Sequence, residues 1–525
     1  MINFLLILFP TQLFETKYID KVLKYVESGE SNGKAVILIW EHDYFFTKFP
    51  FHKLKLSFHR ATMSNFYDKL KSKYNVEYLE SVESNHNQFI KNIVNKNKIT
   101  QIRIFNPIEK ELEKMVDNSN LIKSVKLEYI KFPSVYFLNS ANFETNTEIQ
   151  EKLTTTRHDL FYKFQRIKYN IMIKKIKEKV VPEGNKWSFD TENREKFPKD
   201  QKEPPIPEFK SKTRDEYIDE AIKYVEKNFS KHYGELKKEN FIYPIDHVES
   251  SKWLEQFVKV KLDKFGRYED AMASNIDFGY HSLLAALNNI GLITTLDVLK
   301  KIANYKKNIA SKEGFIRQII GWREYCYFVY DKYSDSLVSK SIYNTAHNKY
   351  EIPEKVWKGE TQIPIIDGII KKVNTFAYSH HIERLMGMGN FLLLIGIKPD
   401  SIYFWFQTMY IDAYDVFMVP NVYGMLLYSM AGNSRMMTRP YFCSSNYLMK
   451  MSNYKSEEIT FGNTTCKWDE VFDSLYYNLI NSYSDVFKKI YSSASSVSRW
   501  NSFNSAKKKS LLELSKKYIQ WIHSK

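Results

Sequence analysis

The sequence has few cysteines, glycines and prolines, and it lacks long apolar runs. Its 525 residues include three cysteines, Cys326, Cys443 and Cys466, with no Cys-x-x-Cys pair. This excludes a disulfide scaffold and a four-cysteine metal site within one chain. The 17 glycines and 15 prolines exclude collagen-like and low-complexity chains. No apolar run approaches the ~20 residues of a membrane span. We therefore expect a protein without a membrane segment in a reducing intracellular compartment, either cytoplasm or nucleus.

Charge and aromatic residues are the features present in excess. Lys and Arg number 77 against 61 Asp and Glu, a formal net charge of +16, and aromatics make up 16 % of the chain. Hydrophobic residues at 43 % and charged residues at 26 % are ordinary for globular domains. The positive balance favours a polyanionic partner such as nucleic acid, with a basic but ordinary enzyme as the alternative.

Residues 1–140 alternate apolar runs with amphipathic stretches, which predicts an α/β domain with a parallel sheet. The amphipathic stretch Lys53–Lys73 is typical of a crossover helix. The first apolar run has no basic segment before it and no small-residue cleavage site after it, so it is predicted to be a buried strand. No G-x-G-x-x-G follows it, which argues against an ordinary NAD site. The predicted strands are Phe4–Phe9, Ala35–Trp40, Val76–Leu79 and Ile99–Phe105.

The rest of the chain divides into a connector and a helical domain. Residues 141–213 form the predicted connector, Pro-rich and polar from about 180 to 210, in which Trp187 and Phe189 indicate packing against another part of the chain. Residues 214–525 are predicted to be a larger all-α domain. Helical periodicity is found at 214–228, 251–264, 281–290, 294–308, 313–330, 365–395, 400–410 and 467–490.

Three segments of the helical domain are dense in polar residues among apolar ones. The segment 313–330 interleaves Arg317, Gln318, Arg323 and Glu324 with large apolar side chains, and such groups must be paired or face a ligand. A structural salt-bridge network is the competing interpretation. His380 and His381 are adjacent, so on a helix they diverge by about 100°, which argues against a shared metal ion. No P-loop, H-E-x-x-H or G-x-S-x-G motif occurs.

These segments resemble a known superfamily. The strings FGRYEDAM, YHSLLAALNNIGL, GFIRQIIGWREY, AYSHHIERLM-x-x-GNF and YIDAYDVFMVPNVYGM occur together and in order. With FPTQLF, FHKLKLSFHRATM and KWSFDTENR earlier in the chain, they are similar to the photolyase/cryptochrome superfamily. Within it, the sequence resembles the bacterial (6-4) photolyases that carry an iron–sulfur cluster.

The resemblance implies a Rossmann-like antenna domain joined to an all-α domain that binds FAD. It implies an enzyme, a DNA photolyase, in which excited reduced flavin donates an electron to a UV-damaged pyrimidine pair. UV-damaged DNA is then the partner, which agrees with the net positive charge. We expect a monomer.

The resemblance also implies roles for individual residues. His380 and His381 correspond to paired histidines at the lesion pocket, one of them a candidate proton donor, and Tyr441 to a residue near the lesion. Trp405 and Trp357 correspond to a tryptophan route for photoreduction, with Tyr414 a further member. The predicted FAD-binding residues are Phe265, Gly266, Tyr268, Asp270, His281, Ser282, Gln318, Trp322, Arg323, Tyr325, Asp412 and Asn421.

The sequence departs from the family at the accessory groups. At the positions of the cluster cysteines it has Ile365, Lys455, Glu458 and Cys466, and one thiolate cannot hold a cluster that needs four ligands. We therefore expect no iron–sulfur cluster. A lumazine-type antenna remains possible through Gln12 and Glu41, although an acidic contact is missing. Asp190 corresponds to a residue linked to a divalent cation, Mg²⁺, near the lesion.

Three functions follow from the resemblance. Repair of (6-4) photoproducts is favoured because the paired histidines are present. Repair of cyclobutane dimers is the first alternative, and it needs no proton donor. A cryptochrome-like blue-light photoreceptor without repair activity is the second.

Overall fold

The computed structural model describes residues 2–26, 31–117, 127–139, 157–192 and 194–524. The predicted boundary between the first domain and the connector, at 140/141, lies outside the described residues. Within the described part, no helix is both long and apolar enough to cross a membrane.

The N-terminal region contains a five-stranded parallel sheet. The strands pair in the order β3-β2-β1-β4-β5, with β1 in the centre, where Leu6 pairs with Ile37 on one side and Arg103 on the other. The order reverses at β1, as in doubly wound Rossmann-like folds. The prediction of a parallel α/β domain is confirmed. The strands are β1 Ile2–Leu8, β2 Asn32–Trp40, β3 Val76–Leu79, β4 Gln101–Phe105 and β5 Glu128–Phe132.

Helices cover both faces of this sheet. The helix Lys53–Lys71 begins at His52, whose ring nitrogen accepts a hydrogen bond from the Leu54 amide at 3.1 Å. Even its charged residues Lys55 and Arg60 are buried, because the helix lies between the sheet and the helix Lys212–Asn228 of the second half. The other helices here are Thr16–Lys24, Asp43–Phe46, His86–Asn97 and Lys110–Asp117.

The connector packs against the helical half. Its helix His158–Lys168 carries Tyr162, whose hydroxyl donates to Glu313 Oε1 at 2.9 Å, and the Phe189 amide donates to Glu313 Oε2 at 2.8 Å. Phe189 is buried, as the sequence indicated. The hairpin Ile173–Ile176 with Lys179–Pro182 and the short turns Glu183–Asn185 and Asp190–Glu192 complete the connector.

The C-terminal part is helical with two small hairpins. These are Met430–Ala431 with Ser434–Arg435, and Glu458–Phe461 with Thr464–Lys467. The predicted all-α domain is confirmed. Its helices are Lys212–Asn228, Lys238–Asn240, His247–Gln256, Leu262–Tyr268, Leu284–Asn289, Thr295–Ala303, Ile309–Ile316, Glu324–Ser339, Glu354–Lys358, Pro364–Phe376, Asn390–Leu394, Pro399–Met409, Asp415–Met418, Ser445–Met451, Trp468–Ser482, Ser484–Phe487, Tyr491–Ser502 and Ser505–Ile522.

Four segments of the helical domain are wound as π-helix. They are Phe257–Lys261, Arg317–Arg323, Glu383–Gly389 and Val419–Leu426. The last three also contribute side chains to one cavity. Such wider turns are rare and occur frequently at functional sites, so their convergence points to this cavity.

Candidate active site

A cavity of about 880 Å³ lies inside the helical half. Its volume is near the upper end of the range of about 300–1,000 Å³ found for small-molecule and cofactor sites. The residues around it come from distant parts of the sequence, which agrees with the predicted site. The predicted residues that line it are Asp190, Phe265, Asp270, His281, Ser282, Gln318, Trp322, Arg323, His380, His381, Asp412, Asn421 and Tyr441.

Three predicted FAD-binding residues lie behind this lining. The helix Leu262–Tyr268 presents Phe265 to the cavity, while the Gly266 amide donates to Ser311 Oγ at 3.0 Å. Tyr268 packs in a separate aromatic cluster, 5.6 Å from the ring of Tyr280. Tyr325 is fully buried, and its hydroxyl donates to the Met436 carbonyl at 3.4 Å. Adjacent helical positions face different directions, so a continuous sequence motif does not contribute all of its residues to one cavity.

A buried ion pair borders the cavity. Arg384 donates to both carboxylate oxygens of Asp412, at 2.8 and 3.0 Å, and its Nε donates to the Ser379 carbonyl at 2.7 Å. The guanidinium also lies 4.0 Å from the centre of the Tyr410 ring. This bidentate geometry fixes the Asp412 carboxylate in place.

Arg323 supplies a second buried positive charge. Its guanidinium lies between the rings of Phe137 and Phe417, 4.9 and 4.7 Å from their centres, and donates to the Asn289 side chain. Burial lowers the pKa of Arg323 to about 10. Within the described part of the chain its Nε is buried without a hydrogen-bond partner. A buried unpaired donor is costly, and a bound ligand with acceptor atoms satisfies it.

Three histidines lie together in the cavity wall. The rings of His281 and His380 are stacked with centroids 4.6 Å apart, and the His381 ring lies 5.6 and 6.0 Å from them. The expectation that adjacent histidines cannot face one point is wrong. It assumed a helix, but the chain from Ala377, with φ of 51°, through His380 is not helical.

The histidines differ in protonation. Burial lowers the pKa of His380 well below its ordinary value, as it does for His281. Burial also lowers the pKa of His381, but the hydrogen bond and negative charge of Asp270 outweigh it and raise the pKa. The Nε2 of His381 lies 3.2 Å from Asp270 Oδ1. His381 is therefore the imidazole of the three that most readily carries a proton near neutral pH.

Asp190 reaches the cavity from the connector. Its two carboxylate oxygens lie 3.0 Å from Arg317 and 2.5 Å from Arg194. Burial raises the pKa of Asp190, but the charge of Arg317 and the hydrogen bond from Arg194 outweigh it, so the pKa is lowered. Divalent-cation binding at Asp190 stays a prediction, and such a cation must compete with two guanidinium groups.

Aromatic rings extend from the cavity toward the surface. Phe406 lines the cavity, and Trp405 lies edge-on to it with centroids 5.2 Å apart. Phe404, next to Trp405 in the same helix, lies 6.3 Å from Trp357, which stacks on the partly exposed Tyr233 at 4.0 Å. Trp405 thus contacts the ring that lines the cavity, whereas Trp357 contacts Phe404, and the route between the two tryptophans stays a prediction.

Tyr414 lies where the two halves of the chain meet. Its hydroxyl is 3.2 Å from His59 Nε2, and the Lys55 ammonium lies 4.7 Å from its ring centre. Both partners belong to the helix Lys53–Lys71 of the α/β region. Its role in electron transfer stays a prediction.

The two predicted antenna residues make structural hydrogen bonds. Gln12 lies where the strand order reverses, and its Nε2 donates to the Phe105 carbonyl at 2.9 Å. Glu41 is fully buried. Its carboxylate accepts hydrogen bonds from Arg60, Tyr78, the Ser81 amide and Tyr224, at 2.9, 2.7, 3.0 and 2.8 Å. Neither residue lines the cavity described above.

Of the four positions that the resemblance assigns to cluster cysteines, three contain other residues and the fourth is Cys466. Ile365 is buried in the apolar core. The Lys455 carbonyl accepts from the indole nitrogen of the buried Trp468 at 2.7 Å. Cys466 lies on the second strand of the hairpin that includes Glu458, and burial raises the pKa of its thiol. A protonated thiol is a poor metal ligand.

Sequence reasoning missed several charged residues of the site, among them Arg384 and Glu269. Both line the cavity, and burial raises the pKa of Glu269 to about 7. A signal was present, since each is a charged residue within a segment that also holds predicted site residues. The resemblance implied roles only for the residues named above, and neither Arg384 nor Glu269 is among them.

Comparison with known proteins gives consistent results. Residues 7–241 match the family described as deoxyribodipyrimidine photo-lyase-related protein. The chain is 30 % identical over 447 residues to a (6-4) photolyase from Agrobacterium fabrum, covering 82 % of this chain and 83 % of the relative. An uncharacterised protein of Acanthamoeba polyphaga mimivirus is 38 % identical over 133 residues, 25 % of this chain and 94 % of that protein.

Solved structures show the same architecture. A class III photolyase from Agrobacterium tumefaciens aligns with a TM-score of 0.51 at 13 % identity, covering 80 % of this chain and 79 % of that chain. A cryptochrome from Synechocystis sp. PCC6803 aligns with a TM-score of 0.55 at 14 % identity, covering 86 % of each chain. The predicted photolyase/cryptochrome fold is confirmed.

Proposed function

Since the chain belongs to the deoxyribodipyrimidine photolyase-related family, we propose that it is a light-driven, FAD-dependent enzyme that repairs UV-induced pyrimidine lesions in DNA, specifically (6-4) photoproducts. The environment of His381 supports the choice of lesion. His381 faces the cavity, is paired with Asp270 and has a raised pKa. Repair of a (6-4) product needs a proton donor, and splitting of a cyclobutane dimer does not.

The cavity residues fit a flavin cofactor. The volume, the largely apolar lining and the unpaired Nε of Arg323 are features of a site built for a large, partly polar ligand. The residues that would hold it include Phe265, Ser282, Gln318 and Asn421. When bound and reduced, FAD supplies the light-driven electron to the lesion and takes it back after the bond rearrangement.

The chain's own residues provide charge and a proton. Arg384 and Asp412 form an ion pair of fixed geometry and no net charge. Such preorganised charges at the cavity wall need no rearrangement during the reaction. His381 donates a proton from its imidazolium to the lesion during rearrangement and recovers it afterwards, while Asp270 stabilises the imidazolium. His380 is neutral because it is buried, so it orients its neighbours rather than supplying the proton.

The proposed substrate is DNA with the damaged bases turned out of the duplex. The net charge of +16 attracts the phosphate backbone. Arg439 and Lys450 are exposed and line the cavity, as does the aromatic Tyr441. A flipped lesion is stabilised by stacking on such aromatic side chains, while basic side chains hold the adjacent phosphates.

We predict that the purified protein lacks an iron–sulfur cluster. The groups at Ile365, Lys455 and Glu458 offer no thiolates, and the lone Cys466 cannot replace four. Iron and acid-labile sulfide, measured together with FAD on protein purified without oxygen, should be far below one iron per flavin. The Cys466→Ser variant serves as the matched control and should give the same values. About four irons per flavin would contradict the prediction.

A repair assay tests the proposed function. Reduced protein is illuminated with blue light in the presence of separate oligonucleotides carrying a (6-4) product or a cyclobutane dimer, with dark samples as controls. Light-dependent loss of the (6-4) product is the expected result. Splitting of the cyclobutane dimer alone would keep the enzyme class and overturn the proposed lesion.

Absence of both repair activities, with FAD bound and photoreducible, would favour a photoreceptor. The contact of Trp405 with Phe406 at the cavity wall supports that second candidate, because a tryptophan near the flavin supports its light-driven reduction with or without repair.

A further inference from the structure

We propose that His281, His380 and His381 form a binding site for a divalent transition-metal ion of the Zn²⁺ type. Each residue offers one ring nitrogen, and these atoms all lie within 4.8 Å of one another. Nitrogens bound to one tetrahedral Zn²⁺ at about 2.0–2.1 Å lie roughly 3.3 Å apart. The three nitrogens must therefore move closer together, and the stacked rings of His281 and His380 must rotate away from parallel, for all three to bind one ion.

Unsatisfied nitrogens at this position support the proposal. In the described structure, both ring nitrogens of His380 and the Nε2 of His281 are buried without a hydrogen-bond partner. Buried polar atoms without partners are costly, and a metal ion provides the missing interaction.

In the rings of His381 and His281, one nitrogen has a hydrogen-bond partner that orients the ring. His381 presents Nε2 to Asp270 Oδ1 at 3.2 Å, which leaves Nδ1 as its free nitrogen. The main-chain carbonyl of Glu269 accepts a hydrogen bond from His281. Metal-ligating histidines almost always donate their other N–H to a carboxylate or a main-chain carbonyl, and this fixes the tautomer and raises ligand basicity.

The donor set selects the class of ion. Three imidazoles suit Zn²⁺, Cu²⁺ or Ni²⁺, whereas Mg²⁺ and Ca²⁺ require oxygen ligands. Each nearby cation has a carboxylate partner, Arg317 with Glu269, Lys372 with Glu383 and Arg384 with Asp412, so the cluster is not in a strongly positive environment. The cavity beside His381 leaves space for a further ligand.

The metal would act as a reversible inhibitor, a consequence that rests on the proposed function. An ion bound to His381 occupies the ring nitrogen that exchanges the proton with the lesion. The protein would then retain its flavin and lose (6-4) repair. A chelator would restore repair without any covalent change.

Isothermal titration of Zn²⁺ into the full-length, FAD-loaded protein tests the site. We expect one Zn²⁺ per chain and no comparable binding of Mg²⁺. The Asp270→Asn variant should bind Zn²⁺ about 10–100-fold more weakly, the range for loss of an orienting partner. The His381→Ala variant, which loses a ligand, should bind Zn²⁺ at least as weakly as Asp270→Asn. His381 is suited to replacement because its side chain is 48 % exposed. His347→Ala is the matched control, since His347 is exposed and outside the cluster.

Each outcome decides the proposal. Absence of stoichiometric Zn²⁺ binding, or binding unchanged in both His381→Ala and His380→Ala, would overturn it. Far-UV circular dichroism and flavin content confirm that the variants are folded. The titration measures Zn²⁺ binding without light or DNA. Zn²⁺ binding without repair activity would therefore support the metal site and contradict only the proposed function. Repair of (6-4) products without Zn²⁺ binding would contradict only the metal site.

Discussion

Replacing His381 by asparagine should reduce the rate of (6-4) repair by about 10²–10⁴-fold, the usual contribution of a general acid. The variant keeps a side chain of similar size but cannot donate a proton. Single-turnover repair of an oligonucleotide with one (6-4) product measures the effect. Flavin absorbance should be unchanged, since the His381 side chain is 48 % exposed and its removal leaves the buried core intact.

The pH dependence of repair identifies His381 more specifically. Because Asp270 raises the pKa of His381, the protonated form persists to higher pH than for a free histidine, whose pKa is about 6.5. Repair should be present below this raised pKa and decline as the pH rises through it. In Asp270→Asn the pKa falls, so the decline should move to lower pH.

A second histidine variant separates proton donation from packing. His380→Asn removes a ring stacked on His281, and it should lower the rate without shifting the pH at which repair declines. If His380→Asn moved the decline and His381→Asn did not, the assignment of the proton donor would be reversed. His347→Asn, outside the cavity, should change neither quantity.

Replacing Arg384 by methionine should lower the free energy of unfolding by about 3–5 kcal/mol, the range for removing one partner of a buried ion pair. The Asp412 carboxylate, with 8 % of its side chain exposed, is then left buried without its bidentate partner. Urea unfolding followed by far-UV circular dichroism measures the loss as a lower midpoint. Methionine preserves most of the side-chain volume, so the change reports on charge more than on a cavity.

An exposed ion pair provides the control. Lys488 lies 2.6 Å from Asp485, but both side chains are largely exposed. Lys488→Met should leave the urea midpoint nearly unchanged, because solvent-exposed pairs contribute little to stability. Equal shifts in Arg384→Met and Lys488→Met would contradict the role given to the buried pair.

The sequence alone predicted four of the five strands and the parallel arrangement of the sheet. β1 and β2 contain long apolar runs buried in the domain core, so hydrophobicity alone indicates them. β3 and β4 are shorter and include charged residues, but their aliphatic residues are still buried. β5, with the sequence EYIKF, is an edge strand with no fully buried residue, which gives a weaker signal.

Local geometry limited what could be predicted of the site. The motif residues converge on one cavity as expected, but the relative placement of His380 and His381 depends on a non-helical turn that begins at Ala377. Helical periodicity cannot indicate such a turn. The π-helical segments Arg317–Arg323 and Glu383–Gly389 change the angular spacing in the same way. A regular 100° per residue therefore misassigns which residues share a face there.

The partners of Glu41 affect how this position should be interpreted in related sequences. Its carboxylate accepts hydrogen bonds from Arg60, Tyr78, Ser81 and Tyr224, which belong to three separate segments of the chain. Selection against loss of this network would keep a glutamate here whether or not a pigment binds nearby. A glutamate found at this position in relatives would therefore not by itself indicate pigment binding, and covariation of Glu41 with Arg60 and Tyr224 would indicate a folding constraint.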